Sequence, residues 1–158
     1  LRAIIDSIVG DVVNYYQTLI DDNDLSAPEK LTNMLAGSEK MALIQPEIMQ
    51  ALHKPENREL QEQMNIVAVT TITPMIVAGV EQGYEKGEFS KTMPSTTESV
   101  QLLLAGNQFI LDSGLFEWQQ QKQQAFFSAR QALFEMLLGV ETGTFSFLGP
   151  KESKRSTA

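Results

Sequence analysis

Within the segment of residues 64–89, three threonines and one proline interrupt an apolar run over residues 66–80. Pro74 lacks an N–H group and pushes away the carbonyl of Thr70, four residues earlier in a helix. The side chains of Thr70, Thr71 and Thr73 add three hydroxyls close to that freed carbonyl. Polar groups inside a core need partners from protein, water or a ligand. The cluster therefore predicts a ligand pocket at a kink in a buried helix.

Catalytic and metal-binding signatures are missing from the rest of the sequence. Cysteine is absent and His53 is the only histidine, in a polar connection typical of an exposed loop. A di-iron site would need a glutamate three residues before it, where Gln50 stands. The acidic run at 21–24 lacks the spacing of a calcium loop and is typical of a solvated turn. We expect no catalytic residue, no metal ligand and no cofactor, and therefore no enzyme.

The composition of the chain indicates which binding partners and which cellular compartment to expect. The chain has 158 residues and a formal net charge of −8, which repels phosphate backbones and disfavours direct binding to nucleic acid. No signal peptide opens the sequence, and no apolar run reaches the ~20 residues of a membrane span. The lack of cysteine fits the cytoplasm. We expect a cytoplasmic protein that does not bind membranes.

Helical periodicity dominates the sequence, and no convincing strand pattern is present. Apolar residues recur at three- and four-residue spacing from Ile4 to Ile20 and predict a first helix that ends at Asp21. Ser26 and Glu29 form a capping box that opens a second helix. A short helix at about 47–53 follows. Further helices are predicted at about 56–83, 95–112 and 119–138. The fold class is all-α, an antiparallel helical bundle.

The two ends of the sequence suggest the domain boundaries. The helical pattern starts at Leu1 without an N-cap residue, which predicts a fragment whose N-terminal part has been cut away. Residues 1–140 are expected to form one domain. Residues 141–158 are expected to form a partly disordered extension, since their basic, serine-containing end has no apolar periodicity.

The end of the central helix carries a family resemblance. Gly83 and Gly87, separated by polar residues and followed by Phe89, close the segment Ile76-Val-Ala-Gly79-Val-Glu-Gln-Gly83-Tyr-Glu-Lys-Gly87-Glu-Phe89. Together with the order of helices, this segment resembles the C-terminal domain of TetR-type transcriptional regulators. The helix after Pro94, with Gly106 midway, continues the resemblance, which extends to about Leu138.

The resemblance implies a two-fold homodimer and a missing N-terminal helix-turn-helix domain, through which alone the protein would contact DNA. The last two helices would form a four-helix dimer interface. Four large apolar side chains on the last helix support this, although they could instead close a core within one chain. The expected interface residues are Leu104, Phe126, Phe127, Arg130, Phe134 and Leu137.

The implied mechanism is allosteric repression controlled by a small, mainly apolar effector. The effector would enter between the first, second and central helices, and the first helix would transmit its binding to the DNA-binding part. Thr70 and Thr73 share one helical face and Thr71 lies on another, so the three cannot all contact one ligand. Polar contacts are expected from Thr70, Thr71, Thr73 and Gln108, and apolar walls from Tyr16, Met34, Met64 and Met75.

Two other interpretations remain open. The chain could be a helical protein-interaction or structural module whose phenylalanine-rich last helix binds a different partner. The threonine–proline segment would then be an ordinary kink, with its hydroxyls bonded back to preceding carbonyls. A helical enzyme is the third possibility, and the scarcity of catalytic residue types counts against it.

Overall fold

A computed structural model describes residues 2–36, 55–107, 109–110 and 116–150. These residues form helices and their connections and contain no strand, which confirms the all-α class for this part of the chain. The predicted short helix at 47–53, with His53, lies outside the described residues. So does Gln108. The helices are α1 (Arg2–Asp21), α2 (Ala27–Leu35), α3 (Arg58–Val67), α4 (Thr73–Glu85), α5 (Thr96–Asn107) and α6 (Gln120–Leu138), with short 3-10 turns at Pro55–Asn57 and Ser146–Leu148.

The predicted capping box at the start of α2 is confirmed. The Ser26 hydroxyl accepts a hydrogen bond from the Glu29 N–H at 3.4 Å, and the Glu29 carboxylate accepts one from the Ser26 N–H at 2.9 Å. Hydrogen bonds from the side chain and then the backbone of Ser26 lower the pKa of Glu29. The box fixes where α2 begins, and Ala27 at its first position is already buried.

The predicted central helix is confirmed as a continuous helix from Arg58 to Glu85, with a π-turn at Ala68–Ile72 between α3 and α4. Pro74 follows the π-turn directly and has no N–H to donate to the preceding turn. A wider turn accommodates a proline because it changes which carbonyls need donors. The kink expected at Pro74 therefore takes the form of a π-turn just before it.

The central helix is also long and apolar enough to cross a membrane, judged by length and composition alone. The sequence predicted no such span, because polar residues divide its apolar runs. A helix in a protein core meets the same criterion, and the α4 part of this helix has Ile76, Val77 and Val80 buried. No described side chain of α3 is buried.

The glycine–glycine–aromatic segment closes α4 with a Schellman motif. The Glu88 N–H donates to the Gly83 carbonyl at 2.9 Å, and the Gly87 N–H donates to the Tyr84 carbonyl at 3.1 Å. Gly87 has a φ of 68°, in the left-handed region that glycine adopts without strain. A Cβ at Gly83 would lie 2.1 Å from Cε2 of Phe89. Both glycines are therefore required by the local structure.

Helix α4 lies at the centre of the core and packs against α1, α2 and α5. The Phe89 ring and Met93, which follow α4, are buried beside it. The fully buried core side chains include Leu31, Met34, Ile76, Val80, Val100, Leu138 and Phe145.

The core extends beyond the predicted domain boundary at residue 140. Phe145 is fully buried and its ring lies 4.8 Å from that of Phe134 in an edge-to-face contact. The Glu135 carboxylate accepts hydrogen bonds from the N–H groups of Gly143 and Phe145 at 3.0 and 2.9 Å. Residues 141–150 therefore pack onto α6 as part of the domain. Residues 151–158 lie outside the described part of the chain.

Candidate ligand cleft and helix surfaces

A cleft of about 330 Å³ lies between the central helix and the end of α5. It begins at the π-turn and is open to solvent. Its surface is mainly apolar, and none of the described residues that line it is charged. The lining residues are Asn65, Ile66, Val69, Thr70, Ala105 and Phe109.

The threonine hydroxyls beside the cleft bond back to the helix. The Thr70 hydroxyl donates to the Ile66 carbonyl at 2.8 Å, and the Thr73 hydroxyl donates to the Val69 carbonyl. Thr73 is buried and Thr71 is half-buried. Of the predicted ligand contacts, the structure brings Thr70 to this cleft. Its hydroxyl hydrogen is already engaged, so its remaining capacity is as an acceptor.

None of the predicted apolar wall residues lines this cleft, and three of them, Tyr16, Met34 and Met75, pack in or against the core. Met34 is fully buried, and the Tyr16 hydroxyl donates to the Met34 carbonyl, which ties α1 to α2. Burial raises the pKa of Tyr16 to about 12, with a further contribution in the same direction from Tyr15. Met75 packs against the core from a half-buried position, and Met64 is half-buried on α3.

A buried lysine on α2 also links this helix to α1, and it contacts α4 as well. Lys30 is 1 % exposed, and its ammonium donates to the Ile20 carbonyl at 2.7 Å and to Oε1 of Gln82 at 2.8 Å. The Gln82 amide also donates to the Ile20 carbonyl at 3.2 Å. A cation at the carboxyl end of α1 is favoured by the helix dipole. Lys30 therefore joins α1, α2 and α4 into one clamped unit. The sequence did not single it out, because a lysine in a helical pattern normally lies on the solvent face.

Several predicted dimer residues are engaged within the single chain. Phe134 is 5 % exposed, in the core. Arg130 donates to the Leu148 carbonyl at 2.8 and 3.0 Å and to Oδ1 of Asn107 at 2.6 Å. Its guanidinium also lies 5.0 Å from the centre of the Phe127 ring. Leu104 and Leu137 are partly buried against the core, and Phe126 is half-buried.

The exposed apolar side chains of the last two helices are a different set. Leu133 is 45 % exposed and Met136 is 56 % exposed on α6, and Leu102 is 75 % exposed on α5. Ala129 is also exposed, and its spacing to Leu133 and Met136 places all three on one face of α6. The sequence does contain a signal for this face. Helix α6 has two apolar stripes, and one includes Phe134 while the other includes Leu133.

A row of aromatic rings connects the cleft to the start of α6. Phe109 lines the cleft and lies 5.4 Å from Phe116, which stacks on Trp118 at 5.0 Å. Trp118 lies 5.6 Å from Phe126, and the Lys122 ammonium is 5.3 Å from the Phe126 ring. The indole N–H of Trp118 is buried and has no acceptor among the described residues. Ring contacts therefore hold this row together.

Two further findings concern metal binding at the site and the similarity of the chain to known proteins. Within the ranges that the structure describes, no group of acidic or histidine side chains is arranged to hold a metal ion. The described residues offer a mainly apolar cleft that is open to solvent. No protein-family model, curated protein or solved structure matches the chain.

Proposed function

We propose that this chain is the effector-binding and dimerisation domain of a cytoplasmic TetR-type transcriptional regulator, most simply a repressor. The observation that carries the proposal is the open apolar cleft at the π-turn of the central helix, next to α5. A helix interrupted at a pocket can take up two arrangements that differ in how well they fit a ligand. The glycine-marked end of α4 supports the family assignment through its resemblance.

The proposed homodimer uses α5 and α6. Leu102, Leu133 and Met136 are large apolar side chains left exposed on these helices, and burying them against a second copy would remove apolar surface from water. In a two-fold dimer the same face of α6 would meet its own symmetry mate. Phe134 would support this face from inside, since its ring already belongs to the core.

The proposed allosteric movement takes place at α3 and α5. Helices α1, α2 and α4 are held together by Lys30 and Tyr16, whereas α3 has no buried described side chain. A ligand in the cleft would contact Phe109, whose aromatic neighbours extend to Phe126 on α6. Effector binding would thereby shift the population of dimer arrangements that hold the DNA-binding domains correctly.

The coding sequence directly upstream of Leu1 tests the regulator assignment. We expect it to encode a basic helix-turn-helix segment, because the acidic chain itself repels DNA. An upstream segment of another kind would overturn the assignment to a transcriptional regulator.

One observation favours a second candidate function, a protein-interaction module without a small-molecule ligand. The hydroxyls of Thr70 and Thr73 are bonded to carbonyls of their own helix, as an ordinary kink requires. Thermal unfolding in the presence of a set of neutral apolar compounds separates the two candidates. A compound that binds the folded state raises the midpoint, whereas the interaction module predicts no response to any of them.

A further inference from the structure

Two polar side chains of the central helix, Asn65 and Thr70, line the cleft. Residues five positions apart lie on different sides of a regular α-helix, in which one turn takes about 3.6 residues. The π-turn at Ala68–Ile72 takes more residues per turn, and with it both side chains reach the same cleft. The interruption of the helix therefore presents an amide and a hydroxyl together.

These two side chains differ in what they can offer a ligand. The Thr70 hydroxyl donates its single hydrogen to the Ile66 carbonyl at 2.8 Å, so its oxygen can only accept a hydrogen bond from a molecule in the cleft. The Asn65 amide forms no hydrogen bond with the described residues, and it carries both N–H donors and an acceptor oxygen. The pair therefore offers one donor group and two acceptor oxygens.

A primary carboxamide complements this set of groups. Its carbonyl can accept from the Asn65 N–H, one of its N–H groups can donate to Oδ1 of Asn65, and the other can donate to Oγ1 of Thr70. A carboxylate, ester or ketone has only acceptors, which would meet the two acceptor oxygens without a hydrogen between them. An ammonium group has only donors and would leave the Asn65 N–H without an acceptor.

Aliphatic side chains line the cleft beside the polar pair, namely Ile66, Val69 and Ala105. Ile66 is 62 % exposed and Ala105 is exposed, so an apolar group next to the amide would remove their surface from water. A volume of about 330 Å³ is at the lower end of the range typical of small-molecule sites. A small aliphatic body fits this part of the cleft.

We infer that the cleft binds a small molecule with a primary carboxamide on an apolar body, held by hydrogen bonds to the Asn65 amide and the Thr70 hydroxyl oxygen. This inference rests on the proposed function in treating the cleft as the effector site. It adds the chemical class of the effector and the two residues that recognise it.

A matched pair of probes tests the inference. Cyclohexanecarboxamide has the predicted group on an aliphatic ring, and cyclohexyl methyl ketone has the same shape and acceptor without the N–H groups. Titrations followed through the amide resonances of the isotope-labelled intact chain measure both affinities. The carboxamide should bind more tightly than the ketone, and the resonances of Val69 and Thr70 should shift.

Variants of the same shape test the two recognising residues. In Asn65→Leu and in Thr70→Val, the affinity ratio of carboxamide to ketone should fall about three- to tenfold, the change expected for one lost hydrogen bond. Comparing ratios cancels the changed apolar surface of each variant. Asn14→Leu makes the first substitution at an exposed position of α1 outside the cleft and should leave the ratio unchanged.

A cleft-filling variant locates the binding. Ala105 is exposed, so Ala105→Phe should fold and should abolish binding of both probes by occupying the cleft. Ala3→Phe, at an exposed position of α1, is its control and should bind both probes as the wild type does. Carboxamide binding that survives Ala105→Phe, or no binding of the carboxamide to the wild type, would overturn the inference.

The carboxamide requirement can fail separately from the proposed function. If Ala105→Phe blocks both probes but neither Asn65→Leu nor Thr70→Val changes their ratio, the inferred recognition is wrong and the cleft remains an effector site. Conversely, an upstream segment that does not bind DNA would overturn the regulator assignment, while the probe results would still decide the chemistry of the cleft.

Discussion

At the scale of single residues, the packing around Gly83 explains why the glycine–glycine–aromatic segment needs a glycine at this position. The Phe89 ring packs where a side chain at position 83 would stand, and Cβ of Ala27 at the start of α2 would lie 2.9 Å from a Cβ there. The absence of a Cβ therefore lets three segments meet. The motif that suggested a family is, in this chain, a requirement of close packing.

Gly83→Ala should destabilise the domain by about 1–3 kcal/mol, the usual cost of overpacking a core. The new Cβ would lie 2.1 Å from Phe89 Cε2 and 2.9 Å from Ala27 Cβ, so the ring or α2 must move. Gly10→Ala is the matched control, because nothing lies within 4 Å of a Cβ at that position in α1. It should stabilise the domain by roughly 0.5–1 kcal/mol. Urea unfolding measures both. Equal effects of the two substitutions would contradict the packing described for Gly83.

Tyr16 gives a residue-scale prediction about pH. Its pKa is raised from 10.0 to about 12 in the folded chain, mainly by burial. A phenol with a raised folded pKa contributes its full stabilisation below the unfolded pKa and loses it as the pH rises through the folded pKa. Between pH 10 and about pH 12 the free energy of unfolding should therefore fall, by about 2–3 kcal/mol from this group.

Tyr16→Phe supplies the control for that titration, because lysines also lose their charge in the same range. The variant should be less stable at neutral pH by about 1 kcal/mol, owing to the lost hydrogen bond to the Met34 carbonyl. Its free energy of unfolding should not show the part of the decrease at alkaline pH that comes from the ionisation of Tyr16. Parallel pH profiles of wild type and variant, measured by denaturant unfolding, would show that Tyr16 is not protected from ionisation.

At the scale of elements, local signals predicted helix boundaries well and long-range packing poorly. Ser26 and Glu29 lie within one turn, so their capping box can be recognised from spacing alone. Pro74 likewise marks the interruption of the central helix. The role of Glu135 depends instead on a segment that folds back after α6. Every residue type other than proline has a backbone N–H, so the sequence does not show that those of Gly143 and Phe145 donate to Glu135.

The segment after α6 should detach when Glu135 is removed. Glu135→Ala leaves the N–H groups of Gly143 and Phe145 without their acceptor. A loss of about 2–4 kcal/mol follows from two hydrogen bonds to a buried carboxylate. Chymotrypsin should then cleave more rapidly at Phe145 and Phe147. Glu141→Ala changes an exposed residue of the same segment and should leave the cleavage rate unchanged. Equal cleavage of both variants would show that Glu135 does not hold the segment.

At the scale of the whole molecule, the sequence predicted the all-α class and the helix order, whereas several side chains expected at a ligand or at a dimer interface lie in the core of the single chain. Periodicity shows which residues share a face of α6 but does not tell which face meets the core. Phe134 is in the core, and Leu133 is exposed. Similarly, Tyr16 and Met34 were expected beside a ligand and instead join α1 to α2. The cleft itself depends on the meeting of the central helix with α5, which no local signal encodes.

The proposed assembly depends on the exposed face of α6. Leu133→Arg places a charge on that face without disturbing the core, since Leu133 is 45 % exposed. The variant should keep the helical circular dichroism of the wild type and lose self-association, because an unpaired charge is costly to bury in an interface. Gln123→Arg adds the same charge at an exposed position near the start of α6. It is the matched control and should leave association unchanged.

The mass of the intact chain in solution tests the proposed dimerisation domain most directly. Sedimentation equilibrium at micromolar concentration should give twice the 17.6 kDa of one chain for the wild type and for Gln123→Arg, and a single chain mass for Leu133→Arg. A wild-type protein that sediments as a monomer would contradict the account.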